Sequence, residues 1–219
     1  MKLMRTALVA VLVMSVSGCA ALDVATRNAT VDLSKDAQKL GQIVEISDVQ
    51  VHVPQSLEAS EAELYYPTAD IVWRGDAPGD RHQQVKSIFE TSAISASADL
   101  SGQTKARLEI DVQRFHALTN KARYTVGGTH SINFVLSLKD PVTGVDMIEP
   151  RQIKAEFPAY GGQDAVEADA RGETQKNRIT AHLSKVIRTQ LAESVGGDTT
   201  MVSRNVAMLP ATADEVSAD

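Results

Sequence analysis

The side chains that most often carry chemistry are few in this sequence and far apart. Its five histidines are His52, His82, His116, His130 and His182. None of them forms an HExxH pair, the spacing at which a helix presents two zinc ligands on one face. The sequence also contains no GxSxG nucleophile elbow, P-loop or GxGxxG fingerprint. We therefore predict no catalytic residue, no metal ligand and no cofactor. A three-ligand metal site assembled from separate strands is the alternative.

Trp73 begins the first of two predicted contact regions. It is the only tryptophan and stands at the end of a predicted strand, before a connection rich in Gly and Pro. Trp and Arg together are typical of protein-binding hot spots, so both regions are predicted to touch a partner. Their residues are Trp73, Arg74, Asp76, Arg81 and His82 in the first, and Phe115, His116, Arg123 and Tyr124 in the second. The alternative, which is the favoured one, is that Trp73 plugs the end of the core while Arg74 pairs with Asp76. The corresponding alternative for the second region is a strand–turn–strand edge.

The single cysteine, Cys19, follows a basic start and the apolar run 7–14, which is too short to span a bilayer. The string Val16–Cys19 (VSGC) resembles the lipobox of bacterial lipoproteins. That resemblance implies a diacylglyceryl group on the Cys19 thiol, cleavage between Gly18 and Cys19, and acylation of the new amine. The alternative is an ordinary secretory signal peptide.

A lipidated Cys19 would hold the protein on a membrane, because two or more acyl chains anchor a protein stably. The polypeptide would then lie outside the bilayer, in the cell envelope, and face the periplasm. Ala20 occupies the place where such lipoproteins often carry an inner-membrane retention Asp. The resemblance therefore favours the outer membrane over the inner membrane.

The composition is that of a globular domain with tails. The chain has 219 residues, is 43% hydrophobic and carries a net charge of -6, which argues against nucleic acid as a partner. A single cysteine excludes a disulfide framework. We predict a signal peptide (1–18), a lipid-anchored tether (19–40), one α+β domain (41–196) and a disordered acidic tail (197–219).

Hydrophobic periodicity predicts a two-layer α+β sandwich in ββαβββα order, with a mostly antiparallel sheet and two helices on one face. A change of phase predicts a bulge near Ser47–Asp48, and Asp80 is a predicted helix cap. Ala122, Tyr124 and Val126 alternate as in a strand and precede the Gly127–Gly128 pair. A hairpin turn explains this pair at least as well as an anion cradle. The main predicted segments are strands 42–53, 69–73, 107–113, 132–138 and 153–157 and helices 81–96 and 168–194.

Three strings in this layout resemble a small family of bacterial envelope lipoproteins of unknown function. They are Tyr66–Pro67 with Ala69–Asp76, Arg114–Thr119, and Tyr124–His130. The resemblance implies a fold and a location but no activity. A lipobox followed by an α/β sandwich is also similar, more distantly, to the auxiliary lipoproteins of ABC-type envelope transport systems.

Three functions from different classes follow from these observations. The favoured one is a non-enzymatic, lipid-anchored accessory protein that contacts a transport or assembly complex of the envelope. The second is a module that binds a lipid or another apolar ligand between sheet and helices. The third is an envelope hydrolase with an unrecognised site. The first is favoured because the anchor signal is strong and no catalytic motif is present.

Overall fold

The computed structural model describes residues 43–196. The predicted signal peptide, with Gly18 and Cys19, the tether and the acidic tail lie outside the described residues. The strands are β1 (Val44–His52), β2 (Ile71–Val72), β3 (Thr104–His116), β4 (Gly128–Lys139), β5 (Arg151–Lys154) and β6 (Phe157–Ala159). The helices are α1 (Arg81–Ser97), α2 (Asn120–Arg123), α3 (Gly162–Ala170) and α4 (Gln175–Gly196).

Strand β3 organises the sheet. It pairs in parallel with β1 and, at its last two residues, with β2, and it pairs antiparallel with β4. Strand β4 in turn pairs antiparallel with β5 and β6. The sheet order is β1-β3-β4-β5. The predicted α+β sandwich is therefore confirmed, and three of its five strand pairings are antiparallel.

The core lies between one face of this sheet and helices α1 and α4. The predicted buried face of α1 is confirmed, from Val85 to Ala96, and Phe89 packs edge-on against the rings of Phe115 and Phe134. Alternate residues of β3 and β4 are buried against these helices, as period-two patterning requires. Helix α4 contributes Ile179, Leu183, Ile187 and Leu191 to the same core.

Two local predictions are also confirmed. The register of β1 against β3 shifts between Ile46 and Asp48, which is the predicted bulge. The bulge lets Val44 and Val51 both reach the core although they differ in phase. The Asp80 carboxylate accepts a hydrogen bond from the Gln83 N–H and caps α1.

Two segments differ from their predictions. Residues 122–126 are not a strand. The Thr119 side chain accepts a hydrogen bond from the Ala122 N–H and so caps the start of helix α2. Tyr124 and Val126 are exposed, so the alternation of residues 122–126 does not mark the buried face of a strand. The predicted helix 168–194 is two helices, α3 and α4. They are separated near Gly172, whose φ of +82° lies in the left-handed region that ends helices.

The described chain begins and ends at the same end of the sheet. Val44 accepts a hydrogen bond from Gly102 just before β3 starts, and Arg188, in the second half of α4, bonds to Ala96 and Asp99. We call the opposite end, where β3 finishes at His116 and β4 starts at Gly128, the distal end. Helix α2, strand β6 and helix α3 lie there.

Candidate functional site

Trp73 lies in the core and not on the surface. Its side chain is 0% exposed, its ring meets Phe115 edge-on at 5.6 Å, and its Nε1–H donates to Asp76 Oδ2 at 2.9 Å. A Cβ on Gly75 would come within 2.2 Å of this ring, so only glycine fits beneath it. The predicted contact regions need correction at Trp73 and Phe115, because neither buried side chain can touch a partner.

Arg74 and Arg81 fasten a loop instead of forming an open surface. Arg81 binds both carboxylate oxygens of Glu61, at 2.7 and 3.0 Å, and this hydrogen bond lowers the pKa of Glu61. Arg74 binds Glu63 at 2.8 Å and also donates to backbone carbonyls, including that of Ser60. We call residues 58–66, which these two guanidinium groups hold, the strap.

Asp76 does not pair with Arg74 as the core-plug alternative predicted. Its carboxylate accepts hydrogen bonds from Trp73 and from Lys176 Nζ, the latter at 2.7 Å. These bonds lower the pKa of Asp76 although burial opposes them. Asp76 therefore ties the Trp73 loop to the first turn of α4.

The two histidines of the predicted contact regions bond to backbone carbonyls. His82 Nε2–H donates to Leu57 and His116 Nε2–H donates to Pro67, each at 3.0 Å. Burial lowers the pKa of His116, which favours its neutral form. Within residues 43–196, no group of three His, Cys, Asp or Glu side chains is placed to hold a metal ion.

Arg123 and Tyr124, from the second predicted contact region, lie at the distal end. Asp169 of α3 pairs with the Arg123 guanidinium. Its carboxylate also accepts a hydrogen bond from the Tyr124 hydroxyl at 3.2 Å. The Arg123 guanidinium also lies 5.3 Å from the Tyr124 ring centre. Arg123 is largely buried while Tyr124 is exposed, so the pair presents the tyrosine ring to solvent.

All four tyrosines of the chain are exposed, and the segments that carry them adjoin one another at the distal end. We call Tyr65, Tyr66, Tyr124 and Tyr160 the tyrosine surface. Thr119 donates to the Leu64 carbonyl and so joins the strap to α2. The contact of Arg123 with Asp169 joins α2 to α3.

Neighbouring cations hold two of these rings. Lys121 Nζ lies 4.7 Å from the Tyr65 ring centre, and the Arg178 guanidinium lies 3.7 Å from that of Tyr160. Tyr66 is the most exposed of the four, at 87%. Tyr65, Tyr66 and Tyr160 were absent from the predicted contact regions. Their position beside Pro67 or the Gly161–Gly162 pair was the available signal, since such residues mark exposed turns.

The Gly127–Gly128 pair serves backbone packing at this end. A Cβ on Gly161 would lie 2.2 Å from the Gly127 nitrogen, and Gly127 has a φ of +74°. The segment before β4 therefore passes directly against the segment after β6. This close approach brings the turn that follows Tyr124 next to Tyr160.

Three solved structures illustrate what the chain is similar to. A predicted lipoprotein from Caulobacter crescentus CB15 has 13% identity and a TM-score of 0.37, covering 76% of this chain and 99% of that one. A DUF330 protein from Xanthomonas campestris has 12% identity and a TM-score of 0.39, with 76% and 88% covered. PelC from Paraburkholderia phytofirmans, a dodecamer, has 12% identity and a TM-score of 0.33, with 68% and 88% covered. At such scores these likenesses assign neither fold nor function.

No curated protein matches the chain. Within residues 43–196, each helix falls short of the length or apolar character that a bilayer span requires.

The family comparison gives a stronger result than the solved structures. A family of unknown function, DUF6778, is matched over residues 44–206. Because that match spans well over half of the sequence, the chain belongs to the DUF6778 family.

Proposed function

We propose that this protein is a non-enzymatic, lipid-anchored accessory protein of the bacterial cell envelope that binds a protein of a transport or assembly complex. The tyrosine surface is the observation that carries this proposal. The lipobox-like string ending at Cys19 supports the anchor, and Ala20 favours the outer membrane. The domain then faces the periplasm.

The chemistry of the tyrosine surface suits a protein partner. Tyrosine is enriched at protein interfaces, because its ring buries apolar area while its hydroxyl keeps a hydrogen bond. Lys121, Arg178 and Asp169 restrain three of the four rings before any partner arrives. Such preorganisation reduces the conformational entropy lost on binding.

The position of the surface suits an anchored protein. Both ends of the described chain lie at the end of the sheet opposite the tyrosines. The thirteen residues of β3 separate the two ends by about 40 Å. The chain therefore enters the described domain at the end opposite the tyrosine surface.

The cavities offer less support for an apolar ligand. A cavity of about 380 Å³ beside β1 is lined largely by polar residues, among them His52, Lys86, Glu90 and Asp111. A shallower cleft of about 540 Å³ at the start of α1 includes Asp76, Asp80 and Lys176. Ligand pockets for apolar molecules are lined mostly by apolar and aromatic side chains, so these two spaces do not favour a lipid.

The double variant Tyr66→Ala with Tyr124→Ala is expected to weaken binding of the partner about tenfold or more, because interface tyrosines often contribute over 1 kcal/mol each. A photoreactive crosslinker at position 66 in cells would identify the partner, and titration of the purified pair would measure the affinity. The melting temperature should hardly change, since both side chains are exposed.

The matched control is Val142→Ala. Val142 is 75% exposed in a turn away from the distal end, so its loss should leave binding unchanged. Equal affinity for the double variant and the control would contradict the tyrosine surface as the contact site.

Cys19→Ser is expected to release the protein from the membrane fraction or to leave an uncleaved precursor, because serine cannot carry the thioether-linked lipid. Fractionation and mass spectrometry of the N-terminal peptide would measure both effects. An unmodified wild-type Cys19 in a protein that still sediments with membranes would contradict the anchor.

A further inference from the structure

A small cavity lies beneath Tyr160, where β4, β6, α3 and α4 meet. Its volume is about 10 Å³, close to what one water molecule needs and far below what phosphate, a sugar or a lipid would require. Its polar lining consists of Arg123, His130, Tyr160, Glu173, Gln175 and Arg178.

His130 contributes a buried polar atom without a hydrogen-bond partner to the lining of this cavity. The side chain is 1% exposed, and its Nδ1 has no hydrogen-bond partner among the described residues. More than nine in ten buried polar groups in proteins have a partner. Tilted contact with the Phe157 ring, at 4.8 Å between centres, fixes the plane of the imidazole but satisfies no nitrogen.

Donors for a second and third hydrogen bond line the same cavity. A guanidinium group has five N–H donors. The pairing of Arg123 with Asp169 and the bond from Arg178 to the Pro158 carbonyl, at 3.0 Å, each use one. Gln175, in contrast, uses its amide oxygen and nitrogen on the backbone of Leu118.

We propose that this cavity binds a single water molecule, which hydrogen-bonds His130 Nδ1 and a guanidinium N–H of Arg123 or Arg178. The water links β4 directly to α2 or α4, and it links β4 to α3 through the pairing of Arg123 with Asp169. His130 is then a positioning residue for α3 and has no direct contact with a partner.

Crystals of the full mature chain, grown in chloride and in bromide, would test the site directly. We expect one discrete water peak about 2.7–3.2 Å from Nδ1 and no anomalous signal from bromide there. A bromide peak would overturn the proposal in favour of an anion. A direct protein partner for Nδ1, or a cavity without density, would also overturn it.

Hydrogen exchange adds a readout in solution. His130→Phe removes the nitrogen, so amides of α3 should exchange about five to ten times faster. The strap, which Arg74 and Arg81 hold independently, should be unaffected. His52→Phe, at an exposed position, is the matched control. Unchanged α3 exchange in folded His130→Phe would contradict the link, and if that variant fails to fold, the wild-type crystals decide.

Discussion

Trp73→Ala is expected to lower the free energy of unfolding by about 3–5 kcal/mol, the range for truncating a large buried aromatic side chain. The indole is fully buried, packs on Phe115 and donates its N–H to Asp76. Its removal leaves a cavity between the end of β2 and the Gly75 turn. Urea denaturation, followed by circular dichroism, would measure the loss.

Two control variants separate packing from partner contact. Trp73→Phe keeps an aromatic ring but removes the hydrogen bond to Asp76, so it should cost clearly less than Trp73→Ala. Tyr66→Ala should stay within about 0.5 kcal/mol of wild type. A Trp73→Ala protein of wild-type stability that has lost its partner would restore the contact role that the sequence predicted.

Acidification between about pH 6.5 and 4.5 is expected to destabilise the protein through His130. Burial, with the nearby charges of Arg178, Arg123 and His182, lowers the pKa of His130 to about 3. The unfolded chain, with an ordinary histidine pKa near 6.5, binds a proton in this range that the folded chain does not. The free energy of unfolding should therefore fall with pH, and the slope from this residue alone should approach about 1.4 kcal/mol per pH unit toward pH 4.5.

Other titratable groups also affect how the free energy of unfolding depends on pH. The pKa values of His116 and His182 are also lowered, so both act in the same direction as His130. Asp76 and Glu61 have lowered pKa values as well, and they lose their stabilising contribution only below about pH 4.5. The interval above that pH therefore isolates the histidines.

Denaturation of His130→Phe at several pH values would test the assignment. The slope between pH 6.5 and 4.5 should be flatter than in wild type, whatever the absolute stability of the variant. His52→Asn, at a 71% exposed side chain, should keep the wild-type slope. An unchanged slope in His130→Phe would show that another group takes up the proton.

The sequence predicted the parts of the fold that periodicity controls. The bulge near Asp48, the Asp80 cap and the buried face of α1 all follow from local spacing, and the structure has them. Helix α2 was missed because its start depends on one capping bond from Thr119. The separation of α3 from α4 was missed although Gly172 was a visible stop signal.

The candidate site was harder to predict, because its parts meet only through tertiary contacts. Trp73 and Arg81 have residue types typical of interfaces, yet the first is packed in the core and the second is engaged by Glu61, which lies twenty positions earlier. Tyr66 and Tyr160 are brought to one end by the strap and by the close approach of Gly127 and Gly161. Hydrophobic periodicity in the sequence gives no information about such tertiary contacts.

The position of β3 has a consequence for how the chain folds. Strands β1 and β2 both pair with β3, which starts at Thr104, sixty residues after the start of β1. An N-terminal fragment that stops before Thr104 has lost the shared partner of both strands. The parallel pairing of β1 and β2 with β3 must therefore wait for long-range loop closure, which slows folding. Refolding should be slow relative to helical proteins of this size, and fragments ending near residue 100 should aggregate through unpaired strand edges.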